Sequence, residues 1–412
     1  MLQSIRSFFR AVPTPLAGLA LGIASLGMGL EKSLPLHNFG QVLGALTSMT
    51  LTLLLAGKFA LTPRLLLEEL KHPVLGSILP TIAMALMLQS KSLSIVNARA
   101  AQGLWLLAVG LHLCLLLAFV VFRIRQFSLH QMVPSWFVPF VGISVAAMTV
   151  PNQAYNNLAY GLMVFGMASY AALLPVMWYR LIFANQIEDA SKPTIAILAA
   201  PASLSLVAYL SLEPAPSLLL CSLLLGVAVL MTSIIYVAFF KLLRLPFTPG
   251  FAAYTFPMAV GATALYKVSD LLAAYPAALE YSLQLKFFAV LEMIVATVVV
   301  AYVCCRYLIF YVRAWDTLVR AQRAAHISWF SSCPKGHTYL NGTGSYLRVE
   351  HISIHGQGGP QDSACTPPPA GLACASAGCD QQSAHNATLM PPWRPHSAGD
   401  PCLFLPPCFC WE

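Results

Sequence analysis

Few side chains in this sequence could do acid–base, metal or nucleophilic chemistry, and those few frame the question. Glu292 sits inside the apolar stretch FFAVLEMIVATVVV. A carboxyl in such a run is costly in lipid, which makes it a candidate for proton coupling or for a pairing at a helix contact. Lys267 ends the run GFAAYTFPMAVGATALYK. There it can raise the local anion concentration at a pore mouth, or simply extend its ammonium to the interface. His112 has no second histidine at helical spacing, so no metal site is expected at it. The chain contains no HExxH, GxSxG or Walker loop, and no GxGxxG in a strand–helix setting. Neither an enzyme nor a bound cofactor is expected.

The elements that must position these residues follow from composition. Hydrophobic residues make up 58 % of the chain and charged residues 9 %, with a mean hydropathy of +0.72. A soluble domain carries roughly 25 % charged residues to solvate its surface, so the bilayer is the expected partner. Ten runs approach the length of about 20 residues that an apolar helix needs to span. They are 14–31, 39–57, 76–93, 99–123, 136–151, 157–182, 194–212, 216–242, 250–271 and 283–311. With a cytoplasmic N-terminus and ten spans, fifteen Lys and Arg fall on inside segments. Lys32, Lys91, Arg99, Lys267 and Lys286 fall outside, a clear positive-inside bias. Topology thus accounts for the net charge of +8, and no nucleic-acid partner is implied.

Pro15, Pro80, Pro139, Pro201 and Pro257 fall at or inside the odd-numbered runs, spaced by 65, 59, 62 and 56 residues. Among the even runs only the sixth holds a proline away from its ends, Pro175. A period of that length is one two-helix hairpin. The pattern reads either as the general frequency of proline in membrane helices or as five hairpins around an axis with the odd helices inside. Proline bends a helix and frees a carbonyl, which lipid tolerates only where protein or a wet cavity receives it. The odd runs are also rich in small residues, among them Gly18 and Gly22, Gly142, Ser144 and Ala146, and Ala199, Ala200 and Ala202. Such residues permit close helix packing. No odd run carries a formal charge in its central span.

Five stretches carry a resemblance: PLAGLALGIASLG (15–27), HPVLGSILPTIAM (72–84), PSWFVPFVGISVAAMT (134–149), APASLSLVAYLSL (200–212) and GFAAYTFPMAVGATALYK (250–267). In order and content they resemble the tellurite-resistance/C4-dicarboxylate transporter family, which includes the plant slow anion channels. The resemblance covers about residues 13–311. It implies an all-α membrane protein of ten transmembrane helices, arranged as five hairpins in quasi-fivefold fashion around a central pore, often as a homotrimer. It also implies that Phe256 plugs the pore, facing Gly18 on the first helix. The function implied is anion transport through an aromatic-gated pore. Alternatives are a proton-coupled C4-dicarboxylate, sulfite or tellurite-related carrier, and, from a different class, a membrane enzyme or a non-transporting partner subunit.

From about residue 321 the character changes. Seven of eleven cysteines, six of ten histidines and eleven of 29 prolines lie in this last part. The tail 321–412 is read as a disordered extension or as a segment translated in an altered frame. Its cysteines show no CxxC pair, so a zinc ribbon is not expected. On the cytoplasmic side neither a disulfide framework nor glycosylation at Asn341 and Asn386 is expected. The short basic start lacks a cleavage site. The expected location is a bacterial inner membrane, multi-pass, with both termini cytoplasmic.

Overall fold

The structure is a computed structural model that describes residue 6 and residues 8–332. The tail cysteines from Cys333 onward and the sequons at Asn341 and Asn386 lie outside the described residues. Every described element is helical. That is the expected solution for an apolar chain in lipid, because a helix satisfies its own backbone hydrogen bonds.

Thirteen α-helices follow in order: α1 (Leu16–Ser33), α2 (Phe39–Leu61), α3 (Pro63–Lys71), α4 (Leu75–Ile78), α5 (Thr81–Leu93), α6 (Ala98–Arg125), α7 (Phe137–Val141), α8 (Val145–Met148), α9 (Asn156–Phe183), α10 (Ala200–Leu212), α11 (Leu218–Leu242), α12 (Thr255–Ala273) and α13 (Leu279–Ser332). Each of the ten expected runs is a helical segment, but they are not alike. By length and composition six segments can cross a membrane, or seven if the bent pair Pro63–Lys71 and Leu75–Leu93 counts as one. That pair turns by 108° at His72–Val74, so α3 lies across the direction of the helix that follows. The first, fifth and ninth expected runs fall short of the span criterion. The fifth is only Pro134–Met148, broken by a 3₁₀ turn at Gly142–Ser144.

Burial separates two kinds of segment. In α2 only five of 23 residues are buried, whereas ten of 13 are in α10 and twelve of 19 in α12. A helix enclosed by other helices faces no lipid and is free to carry Gly, Ser, Thr and broken turns. The enclosed segments are α1, α5, Pro134–Met148, Lys192–Leu212 and Pro249–Ala273. They pack in a closed cycle, α1 on α5, α5 on α8, α8 on α10, α10 on α12 and α12 back on α1. Each also packs against the helix that follows it in the chain.

The prolines stand at the openings of the regular inner helices. Pro15 and Pro80 are the residues just before α1 and α5. Pro201 follows the eight-residue 3₁₀ stretch Lys192–Ala199, and Pro257 follows the 3₁₀ stretch Pro249–Tyr254. In the first turn a missing N–H is least missed. Pro139 lies within the short α7, and outer helix α6 supports that broken segment at two heights. His112 Nε2 donates to Pro139 O at 2.9 Å. Trp105 Nε1 donates to Ala146 O at 3.3 Å and to Thr149 Oγ1 at 3.2 Å. Gly22 lets α1 meet α12: a Cβ there would stand 2.1 Å from Thr255 Oγ1. Thr255 Oγ1 in turn donates to Gly18 O at 3.1 Å.

The last helix differs from its expected end at 311. It runs on to Ser332, past the expected domain boundary at 320. The sequence after 311 holds Ala, Arg, Leu and Gln, good helix formers, and the next proline is Pro334.

Candidate functional site

One cavity is lined by all five inner segments. Gly18 and Leu21 come from α1, Thr81 and Met84 from α5, and Phe137, Val138, Val141 and Gly142 from the broken segment. Ile197, Ala200, Pro201 and Leu204 come from the fourth inner segment, and Ala252, Ala253, Phe256 and Pro257 from the fifth. Its volume is about 50 Å³, room for no more than a few waters. The only hydroxyl in the lining is that of Thr81, which donates to Ile78 O at 2.7 Å. No charged side chain and no free donor reaches the cavity from its lining.

The expected site residues separate into those that meet here and those that do not. Phe256 lines the cavity and is 6 % exposed. Gly18 lines it too, on the helix packed directly beside Phe256, and a Cβ on Gly18 would touch Ala252 Cβ at 3.4 Å. Pro201 and Pro257 are wall residues. Pro80 and Pro139 stand just outside, their neighbours Thr81 and Val138 forming the wall.

Lys267 lies nearer the other end of α12. The charges close enough to act on it are Lys32, Asp270 and Lys91, which lie at the C-terminal ends of α1, α12 and α5. Lys32 Nζ meets Asp270 Oδ2 at 3.3 Å with both side chains largely exposed, a weak pair. Glu31 and Glu213 stand at the same ends of α1 and α10, so the three lysines at this end of the ring are set against three carboxylates. Glu292 is away from the cavity, on α13 behind α12, and its Oε2 accepts from the Tyr236 hydroxyl.

Sequence reasoning missed a buried cluster at the opposite end. Lys58 Nζ donates to Glu69 Oε1 at 2.7 Å and to Thr14 Oγ1 at 2.8 Å, and Thr14 Oγ1 donates to Glu69 Oε2 at 2.5 Å. The ammonium is 3 % and the carboxylate 9 % exposed. The cluster joins the residue before Pro15 to the end of α2 and to α3. Nearby, His72 Nδ1 accepts from the N–H groups of Val74 and Leu75, each at 3.2 Å, and Arg123 donates to Lys71 O. The signal in the sequence was the EEL pair at 68–70 following a lysine that ends an apolar run, a pattern equally suited to a solvated loop. Among the described residues, no group of three His, Cys, Asp or Glu could hold a metal ion.

These features define a multi-pass, all-helical membrane protein with an apolar cavity between its inner segments. Residues 13–331 match the voltage-dependent anion channel family (SLAC1), and the chain belongs to that family. The match extends some twenty residues beyond the resemblance read at 13–311, into the continuation of α13. Two uncharacterized transporters of Methanocaldococcus jannaschii are similar to the chain. One is 27 % identical over 223 residues, which is 48 % of this chain and 65 % of the relative. The other is 28 % identical over 217 residues, 47 % of this chain and 62 % of the relative. The matched regions thus fall short of two thirds of either relative's length.

Proposed function

We propose that the chain conducts anions along the axis of its five inner segments, and that Phe256 closes the path in the state described here. The observation that carries this reading is the single cavity bounded by all five inner segments with the Phe256 side chain in its wall. In this reading the ten helical segments cross the bilayer as five hairpins in quasi-fivefold order, with both termini cytoplasmic in a plasma membrane. The end with Lys32, Lys91 and Lys267 is then the outer mouth, where Lys267 beside the axis raises the local anion concentration. Family membership and the transporter relatives support transport as the activity class.

The cavity wall favours particular anions. Conduction needs binding weak enough to permit exit, and this wall offers no donor to replace a hydration shell. Large monovalent anions that dehydrate easily should pass in preference to small, tightly hydrated ones. The test is reconstitution of purified protein in liposomes with a panel of nitrate, chloride, sulfite and malate. The expected result is flux of nitrate above chloride, with malate slowest. Absence of flux for every anion from both wild type and Phe256→Ala would sink the reading and favour a partner subunit. Light scattering of the detergent-solubilised protein tests the homotrimer that the family resemblance implies, and a monomeric mass would remove that part.

A further inference from the structure

Glu292 belongs to neither the cavity nor an ion pair. Its side chain is buried, with 8 % of the residue exposed. Oε2 accepts from the Tyr236 hydroxyl of α11, while Oε1 has no partner at all. None of the ion pairs among the described residues involves it. Yet Oε1 is packed against something specific: a Cβ on Gly261 of α12 would stand 3.2 Å from it. The carboxyl therefore presses on bare backbone of the helix that carries Phe256. Five residues separate Phe256 from Gly261, which is about 140° around the helix and roughly 7.5 Å along it. One face of α12 lines the cavity and nearly the opposite face receives Glu292.

We infer that Glu292 is a proton-binding site whose occupancy sets the position of α12 and hence the opening of the path at Phe256. The inference rests on the anion-conduction reading for its effect on flux. The step is a simple exchange: the Glu292 carboxyl releases H⁺ to water, or takes it back, while Tyr236 keeps its own proton throughout. In the ionised state a full charge lies against Gly261 with a single phenol O–H to solvate it, an arrangement that low-dielectric surroundings penalise heavily. The carboxylate then gains by drawing donors or water toward the gap at Gly261, which displaces α12. In the neutral state the present packing persists.

The groups that face Glu292 are few. From α11 it is Tyr236. From α12 it is Gly261, and the titratable residues further along that helix are Tyr266, bonded to Ser33 at 2.7 Å, Lys267, and Asp270, paired with Lys32. From α1 it is Gly29, against the neighbouring Met293. No other carboxylate, histidine or cysteine is in contact, so a pH response that disappears with Glu292 is its own.

The experiment has two arms. In proteoliposomes, wild-type flux of nitrate should change roughly tenfold over about two pH units, the width of a one-proton titration. Glu292→Gln should flatten that profile, whereas Glu292→Asp should keep a profile with a displaced midpoint, and Tyr236→Phe should move the midpoint by removing the one donor. A Glu292→Gln profile that follows the wild type overturns the inference while leaving conduction intact. The second arm does not need flux: infrared difference spectra between low and high pH should show a carboxylic C=O band that Glu292→Gln abolishes. If neither wild type nor Phe256→Ala shows flux for any anion, conduction fails, and the band alone decides whether the proton site exists. A band that is absent, or that survives Glu292→Gln, removes the site.

Discussion

The Thr14–Lys58–Glu69 cluster permits a prediction with a worked magnitude. At 2.7 Å and an effective dielectric of about 20, the two charges attract by roughly 6 kcal/mol before desolvation is counted. Much of that is offset, because both ions have left water. The asymmetry appears when one partner is removed. Lys58→Met leaves a carboxylate with only the Thr14 hydroxyl, and Glu69→Gln leaves an ammonium with neutral partners. Each single change should cost about 3–5 kcal/mol, the scale for an uncompensated buried charge. The double variant Lys58→Met/Glu69→Gln removes both charges and keeps an acceptor for Thr14. It should lie within about 1.5 kcal/mol of wild type, since replacing a whole buried pair is often near neutral. The assay is the unfolding equilibrium in mixed detergent–SDS micelles, followed by circular dichroism. If the double variant loses the sum of the two single losses, the residues are not coupled and the argument from burial is wrong.

Three further outcomes follow from the geometry. Trp105→Phe keeps the ring but removes the donor to Ala146 O and Thr149 Oγ1, and should cost about 1–3 kcal/mol in the same assay, the scale of a buried group left unsatisfied; a loss below a few tenths would mean that α6 does not hold the broken segment. Lys32→Gln combined with Lys267→Gln should lower anion influx at low ionic strength and converge on wild type near about 1 M salt, where charges are screened within about 3 Å; an effect that survives high salt would point to folding instead. His72 gives a pH dependence. The packing around its ring desolvates it, and the Arg123 guanidinium adds to this, so its pKa lies below 6.5, against the smaller opposing pull of Glu188 and Glu69. A histidine held neutral contributes stability above its unfolded pKa and loses that contribution as pH falls through the lower folded value. Wild type should therefore weaken on acidification more than His72→Asn, which retains an acceptor for Val74 and Leu75 but does not titrate; parallel pH curves would remove His72 from the account.

Much of this architecture was legible in the sequence, for identifiable reasons. Apolar length located helical structure over each of the ten runs, of which six or seven are long and apolar enough to span, and the runs that carry the proline period are among the enclosed ones. Phe256 and Gly18 came from the five matching stretches, Pro201 and Pro257 from the proline spacing, and the structure places all four around one cavity. What stayed illegible was whatever depends on a partner distant in sequence. Nothing in the sequence singles out Thr14, Lys58 or Glu69, because no local window shows that three elements converge. His112 read as a solitary core histidine, and its role became visible only with the Pro139 carbonyl 27 residues away. The end of α13 was misplaced because apolar length measures lipid exposure, whereas helix propensity sets where a helix stops. α1, Pro134–Met148 and α12 are less apolar or shorter than a lipid-facing span because an enclosed helix has no lipid to satisfy, although the enclosed Lys192–Leu212 is still long and apolar enough to cross.

The central claim is that anions pass between the inner helices and that the Phe256 ring blocks their way. Nitrate flux through purified protein in liposomes, compared for wild type and Phe256→Ala at matched protein density, tests it most directly. Removing a phenyl ring that forms part of an enclosed wall should raise flux at least tenfold, equivalent to lowering the barrier by about 1.4 kcal/mol. Phe256→Leu should fall between the two. Equal flux from wild type and a correctly folded Phe256→Ala protein would contradict the claim.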